Sequence, residues 1–434
     1  MMRLVGLATA AGMLVALALA AAPARPAATA TALPATQALF SSYVADDKMP
    51  GIVGAFGAGD RPTVFVSAGR IADEGDAPAA GPDSLWRVYS MTKPVTAMAA
   101  MILIEQGRMR LDQPVSDFIP EFKEMRVQLN PNTIDSRPAL RPITIRHLLT
   151  HTAGLGYNII TTGPLLRLYE SKGLLPGAFN VAMETRMRQL RPTSLQEFAR
   201  RVAGVPLVAD PGTTWRYSMG LDVLAAVIEK AGGMPFDAFV QRRIFDPLGM
   251  KSSYWTVPGG AAGRLATTYS FVAGRRIPID PGATSVFLQP PSFPYGGAGL
   301  VMSARDYDRF LHMLQDLGTL DGVTIMRPET ARLAMSDLLP PGVRFTSVPG
   351  ETGGVAGPQM GYGAGGAVIL KDANNAFGAG TYAWGGAAGT HAWVNAVRKL
   401  RGTIMVNYLP ATQWPVRDQT IRALAADLAP RSTR

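Results

Sequence analysis

Strand-like segments cluster at the two ends of this 434-residue chain, and most of what lies between them repeats with a helical period. Near the N-terminal end, 51–57 (GIVGAFG) and 63–69 (TVFVSAG) flank the turn Gly59-Asp60-Arg61-Pro62 and read as a hairpin. Near the other end, 367–370, 381–384, 390–395 and 402–408 read as four short strands separated by turn residues. Outer helices are expected over 34–48, with Leu39, Phe40, Tyr43 and Val44 on one face, and over 415–428, with Ile421, Leu424 and Leu428 on one face. The simplest assembly pairs the two ends into one antiparallel sheet and hangs a helical part from it, an α+β fold. Helical patterns fall at 92–106, 114–123, 144–150, 194–203, 220–232, 236–244, 304–316 and 328–336. Segments 155–193 and 256–295 read as long, irregular and rich in Pro and Gly, suited to walling a pocket.

Composition narrows the chemistry. Hydrophobic residues make up 47% and charged residues 17%, the balance of a globular chain. Cysteine is absent, which excludes disulfides, thiol nucleophiles and cysteine-ligated metal sites. Histidine occurs four times, at His147, His151, His312 and His391. The net charge of +10 comes from scattered cations, with no basic arm or RNA-binding aromatic motif, so nucleic acid is not an expected partner. Residues 1–24 read as a secretory signal: Arg3 precedes the uncharged run 4–19, and Ala18-Leu19-Ala20 and Ala22-Pro23-Ala24 are small-x-small cleavage sites. That run is too short and too rich in Ala and Gly for a stable membrane anchor. Residues 25–33 read as a mobile leader and 429–434 as a tail, and the protein is expected in the periplasm or outside the cell.

The sharpest local feature is Val88-Tyr89-Ser90-Met91-Thr92-Lys93-Pro94, which holds the chain's Ser-x-x-Lys. Pro94 is tolerated in the first turn of a helix, which places Ser90 at the helix start and Lys93 on the same face. A helix N-terminus offers N–H groups and positive dipole to a developing oxyanion, and a desolvated lysine can take a proton from a neighbouring serine. Two further segments bear on this one. Pro211 to Met219 places Tyr217 in a turn ahead of a helix, where its hydroxyl can enter a cleft and shuttle a proton. Trp384-Gly385-Gly386-Ala387-Ala388-Gly389-Thr390 lies between two late strands, where glycines admit substrate to the backbone and the N–H of Ala387 can join that of Ser90 as an oxyanion donor. Other chemistries lack their parts. No serine sits in Gly-x-Ser-x-Gly, and the run from His147 to His151 lacks the Glu of a zinc-protease motif. The glycine run 361–366 precedes a strand instead of following one, so it does not read as a dinucleotide loop.

Together these motifs resemble the serine β-lactamase/penicillin-binding-protein superfamily, and most of all its class C-like esterases, the family VIII carboxylesterases. The resemblance spans about residues 35–428, through phrases such as LWRVYSMTKPVTAMAAMILIEQGRMRLDQPVSDFIPEF, ITIRHLLTHTAGL, PGTTWRYSMGLDVLAAVIEKAGG and GGAGLVMSARDYDRFLHML. It implies a catalytic domain over 34–428, with an α/β part at about 34–89 and 340–428, a helical part at about 90–339, and a cleft between them. It implies Ser90 as nucleophile, Lys93 as its activating partner and Tyr217 as a proton relay, with no metal and no cofactor. Which of Lys93 and Tyr217 first takes the serine proton stays open, and the two form one coupled unit.

Two departures bear on the substrate. Met219 stands where class C β-lactamases carry an Asn, and Trp384-Gly385-Gly386 stands where they carry Lys-Thr-Gly. Losing that cation and hydroxyl costs roughly 1.5–3 kcal/mol of β-lactam recognition, and a tryptophan offers an apolar face instead. The pattern is similar to that of the esterases and implies a small-molecule ester of short to medium acyl chain as partner. Tyr157 and His391 are further candidates for the cleft wall. The rival readings are a β-lactamase or D-alanyl-D-alanine peptidase, an acyltransferase, and a non-catalytic binding protein on the same scaffold. The oligomeric state is not written in the sequence.

Overall fold

A computed structural model describes residues 33–346, 360–372 and 377–429. The expected signal segment 1–24, all but the last residue of the leader 25–33, and most of the tail 429–434 lie outside the described residues. Leu33 is buried against the core instead of belonging to a leader, because it sits at the start of the first helix.

The two chain ends do share one sheet. Its seven strands are β1 (Gly51–Ala58), β2 (Val64–Gly69), β3 (Met360–Tyr362), β4 (Ala367–Ile369), β5 (Thr381–Gly385), β6 (His391–Asn395) and β7 (Leu400–Met405). They lie in the order β3-β4-β5-β6-β7-β1-β2, each pair antiparallel. The seam between the ends is β1 against β7, with Val53 opposite Met405 and Gly57 opposite Arg401. Because strand side chains alternate, β1 feeds two cores. Ile52 and Phe56 pack outward with Phe40, Tyr43, Trp393 and Ile404, beneath the terminal helices α1 (Pro34–Ala45) and α5 (Val416–Leu428). Val53 and Ala55 pack inward.

The inward core holds α2 (Thr92–Glu105), whose residues from Thr92 to Leu103 are all buried. A helix that is apolar all round belongs in the middle of a domain, and α2 packs there against α3 (Gly220–Gly232). The helix α4 (Ala304–Gln315) lies in the span first assigned to the helical part, yet it packs on β1, β6 and β7. One reason is a buried ion pair. Arg401 of β7 places Nε 2.8 Å from Oδ1 of Asp308 on α4, and donates further to Gln315 (2.9 Å) and Thr63 (2.9 Å).

Three expectations need correction. Residues 114–123 form two 3₁₀ turns, Val115–Asp117 and Pro120–Glu124, because Pro120 has no N–H with which to continue a helix from the first turn. The span 155–193 is not irregular: it carries the helices Gly163–Ser171 and Val181–Met187, the second capped by Asn180, which accepts from the Met183 N–H (2.8 Å). The span 256–295 carries a hairpin, Thr268–Val272 with Arg275–Asp280, turned at Ala273 and Gly274 with φ of 49° and 77°. The glycine run after β3 is likewise a hairpin turn; Gly365, at φ 73°, abuts α2, where a Cβ would lie 2.8 Å from the Lys93 carbonyl oxygen.

Replacing Asp308 by Ala leaves the Arg401 guanidinium buried without its anion. The expected loss is about 3 kcal/mol or more of unfolding free energy, read as a lower denaturation midpoint; an unchanged midpoint contradicts the role given to this pair.

Candidate active site

The approach to Ser90 is held rigidly. The strand Leu85–Arg87 pairs with Val301–Ser303, and the fully buried Arg87 anchors it. Its Nε donates to Oδ2 of Asp280 (2.7 Å), and its Nη2 donates to Ser285 Oγ (2.8 Å). Asn407, just past β7, accepts from the Arg87 N–H (3.0 Å) and donates back to its carbonyl (3.1 Å). The next turn is strained, because Tyr89 sits in the left-handed region at φ 40°, where a residue with a large side chain is rarely found. Its ring is held between Phe179 and Phe287, at centroid distances of 5.7 and 6.2 Å. Ser90 follows in the 3₁₀ turn Tyr89–Met91, and α2 starts at Thr92. Lys93 and Pro94 thus occupy the first helical turn, as the motif requires. The loop 296–300 clamps this helix end: Leu300 N–H donates to Thr92 Oγ1 (3.0 Å), and Thr96 Oγ1 donates to the Gly296 carbonyl (2.6 Å).

The structure brings Ser90, Lys93 and Tyr217 together. Lys93 Nζ donates to Ser90 Oγ (3.2 Å) and to the Gly297 carbonyl (2.8 Å). Tyr217 O–H donates to Ser90 Oγ (2.7 Å). The Lys93 Nζ also lies 4.6 Å from the centroid of the Tyr217 ring and 5.3 Å from that of Tyr157. All four side chains are buried, Lys93 completely. In such a setting each of these contacts is electrostatically stronger than in water.

Two groups join them that the motifs did not single out for the site. Asp222, in the first turn of α3, accepts the Gly297 N–H (2.8 Å), and burial pushes its carboxyl up to about 6, against the lowering effect of Lys93. His151 packs its ring 4.8 Å from that of Tyr217 and shares a hydrogen bond between Nδ1 and Ser218 Oγ (2.9 Å). Burial first, and Lys93 second, hold this imidazole well below its ordinary range, so it stays neutral. His147 does a different job: its Nδ1 accepts the Thr144 N–H (3.1 Å) in a helix-capping pair. Asp222 stands five residues after Tyr217 in a helix that is buried from Gly220 to Ile228, and no sequence pattern sets it apart there.

The remaining candidates divide. Trp384 is buried on the inward face of β5, its ring 5.6 Å from that of Tyr217 and 5.2 Å from that of Tyr362. Gly386 passes so close to the segment before Ser90 that a Cβ there would lie 2.4 Å from the Val88 carbonyl oxygen. Its own N–H is spent on Thr390 O (2.8 Å), which leaves the half-buried Ala387 at the crest of the turn between β5 and β6. Tyr157 joins the site, with its ring 5.3 Å from that of Tyr217. His391 does not. It stands opposite Gly385 and shares the outward face of the sheet with Trp393, 5.9 Å away, whereas Trp384 and Ala392 face inward. The two-residue alternation of a strand is the reason. Met219 is fully buried where α3 begins, its N–H donating to the Gly156 carbonyl (3.2 Å).

A hydroxyl hydrogen-bonded by an amine and a phenol, at a helix start and lined by aromatic rings, has the parts of a nucleophile with its proton acceptors. Comparison with known proteins gives the family. The family model "Beta-lactamase" matches residues 36–427. Esterase EstB of Burkholderia gladioli is 34% identical over 330 residues, 72% of this chain and 74% of that protein. The solved structure of EstCE1, a hydrolase with promiscuous acyltransferase activity, superposes with a TM-score of 0.72 at 26% identity, covering 91% of this chain and 98% of that one. Unliganded simvastatin synthase (LovD) from Aspergillus terreus, as its selenomethionyl derivative, has the same fold, with a TM-score of 0.74 at 23% identity, covering 93% of this chain and 100% of that one. By its matched length and its fold, the chain belongs to the Beta-lactamase family of the serine β-lactamase/transpeptidase superfamily.

Proposed function

We propose that this protein is an exported serine esterase that cleaves carboxylic esters of short to medium acyl chain through a covalent acyl-serine. One observation carries the reading: Ser90 Oγ lies within hydrogen-bond reach of both Lys93 Nζ (3.2 Å) and Tyr217 OH (2.7 Å). The kinship with EstB supports ester chemistry, and the Arg3-led apolar run supports export.

Ser90 Oγ attacks the ester carbonyl while its proton passes to the Lys93/Tyr217 pair. The C–O bond to the alcohol then breaks, and the pair returns the proton to the leaving oxygen. Water attacks the acyl-serine, gives a proton to the same pair, and the acid departs as Ser90 regains its hydrogen. The N–H groups of Ser90 and Ala387 hold the oxyanion in both tetrahedral intermediates. The close approach of Gly386 to Val88 supports this pairing of donors. Trp384 and Tyr157, which pack on Tyr217, and Tyr362, which packs on Trp384, favour neutral, apolar acyl groups over the carboxylate of a β-lactam.

A second reading uses the same acyl-enzyme. An alcohol in place of water accepts the acyl group, as the described activity of EstCE1 suggests. Added short alcohols then yield a new ester at the expense of the free acid.

Ser90→Ala is expected to lower hydrolysis of p-nitrophenyl butyrate by at least about 10³-fold while leaving the fold intact; near-wild-type turnover in a folded variant contradicts the proposal. Tyr217→Phe keeps the ring packing and loses the hydroxyl, so kcat/KM should fall about 10²–10⁴-fold. In the wild-type enzyme kcat/KM should rise from neutral to mildly alkaline pH, because the pair has to shed a proton before it can accept one. A flat profile across that range rules out this pair as the base.

A further inference from the structure

Lys93 and Asp222 hold opposite sides of one residue. Gly297 gives its N–H to Asp222 Oδ1 (2.8 Å) and receives Lys93 Nζ on its carbonyl (2.8 Å). The loop is pressed against α3 at this point. A Cβ on Gly297 would lie 2.5 Å from Asp222 Oδ2, and one on Gly296 would lie 2.6 Å from the Leu221 carbonyl oxygen. Anchoring one N–H needs only a neutral oxygen, whereas a fully buried carboxyl is expensive to desolvate. Oδ2 has no hydrogen-bond partner among the described residues, and the backbone N–H groups of Gly297, Gly296 and Asp222 itself favour the charged carboxylate against burial.

Resting on the serine-centred reading above, we infer that Asp222 is a positioning residue. Through Gly297 it holds the Lys93 amine against Ser90, and with its buried charge it sets the pH at which the Lys93/Tyr217 pair gives up the proton that serine activation requires.

The surroundings isolate this effect. Beside Asp222 stands Tyr295, with Arg191 and Glu184 beyond it; around Lys93 stand Tyr157, Tyr217 and His151. Burial holds Tyr295 above its ordinary range and His151 well below its own, so both stay neutral in mild acid. Arg191 and Glu184 are ion-paired to one another at 3.0 Å. Asp222, which burial pushes up only to about 6, is therefore the neighbour that carries a negative charge beside the pair through the neutral to mildly alkaline rise. The sign follows from Coulomb's law. An ionised Asp222 favours the protonated form of the Lys93/Tyr217 pair, and removing its charge lets the pair release its proton at lower pH.

The test is the rate at which a fluorophosphonate labels Ser90 as a function of pH, which depends on serine activation and not on the natural substrate. Asp222→Asn keeps an oxygen for the Gly297 N–H and loses the charge. Its acid limb should move to lower pH by about one unit, a roughly tenfold gain at acid pH relative to its own plateau. A limb in the wild-type position, with the rate lowered evenly at all pH values, overturns the inference and leaves Asp222 a structural brace. If the Asn variant does not fold, Asp222→Glu retains the charge and should keep the wild-type limb; a limb displaced by a unit overturns the inference. A wild-type enzyme labelled at Ser90 but inert toward esters defeats the esterase reading alone, and one not labelled at Ser90 defeats both.

Discussion

The geometry of this site depends on one amine kept wholly out of water. Lys93 is fully buried, and each group it meets comes from a different part of the chain: Ser90 from its own turn, Gly297 from the loop that clamps α2, Tyr217 from the turn ahead of α3, and Tyr157 from the segment after His151. A buried amine is costly unless its hydrogen-bonding capacity is met, so these segments cannot drift independently. The Gly365 turn closes the remaining side, its approach limited by the Lys93 carbonyl. The same requirement explains why small residues gather here. Gly297, Gly365 and Gly386 each stand where a Cβ would fall within 3 Å of a neighbouring atom.

Around this centre the fold supplies stiffness. The seam between β1 and β7 joins the chain ends, and the Asn407 that follows β7 ties the strand before Ser90 to that seam. Arg87, paired with Asp280 at the end of the 268–280 hairpin, then braces the same strand. With the backbone fixed on both sides, the left-handed Tyr89 can be held in place, and Ser90 is presented at the start of α2. Strain of this kind persists only where the surroundings over-determine it. Here two aromatic rings and a buried ion pair do so.

Much of this was legible in the sequence. Short strand-like runs bounded by turn residues revealed six of the seven sheet strands, and Pro94 fixed the helix start, because both signals act over a few residues. Ser90, Lys93, Tyr217 and Trp384 were legible through their motifs, and the structure places them together. What failed depended on long-range partners. Strand β3 is three residues long and is defined only by its pairing with β4. His391 follows a conspicuous glycine turn, but the strand register sends it to the far side of the sheet. Asp222 looked like an ordinary helix residue, since its role arises from a loop more than seventy positions away that no local pattern connects to it.

The claim that Ser90 carries the acyl group is tested most directly by trapping it. The enzyme is quenched during turnover of a slow ester, and its intact mass is measured before proteolysis and peptide mapping. The account predicts a mass increase of one acyl group, located on the peptide that contains Ser90 and discharged by further incubation in water. An enzyme that turns over the ester with no adduct, or with the adduct on another residue, contradicts it.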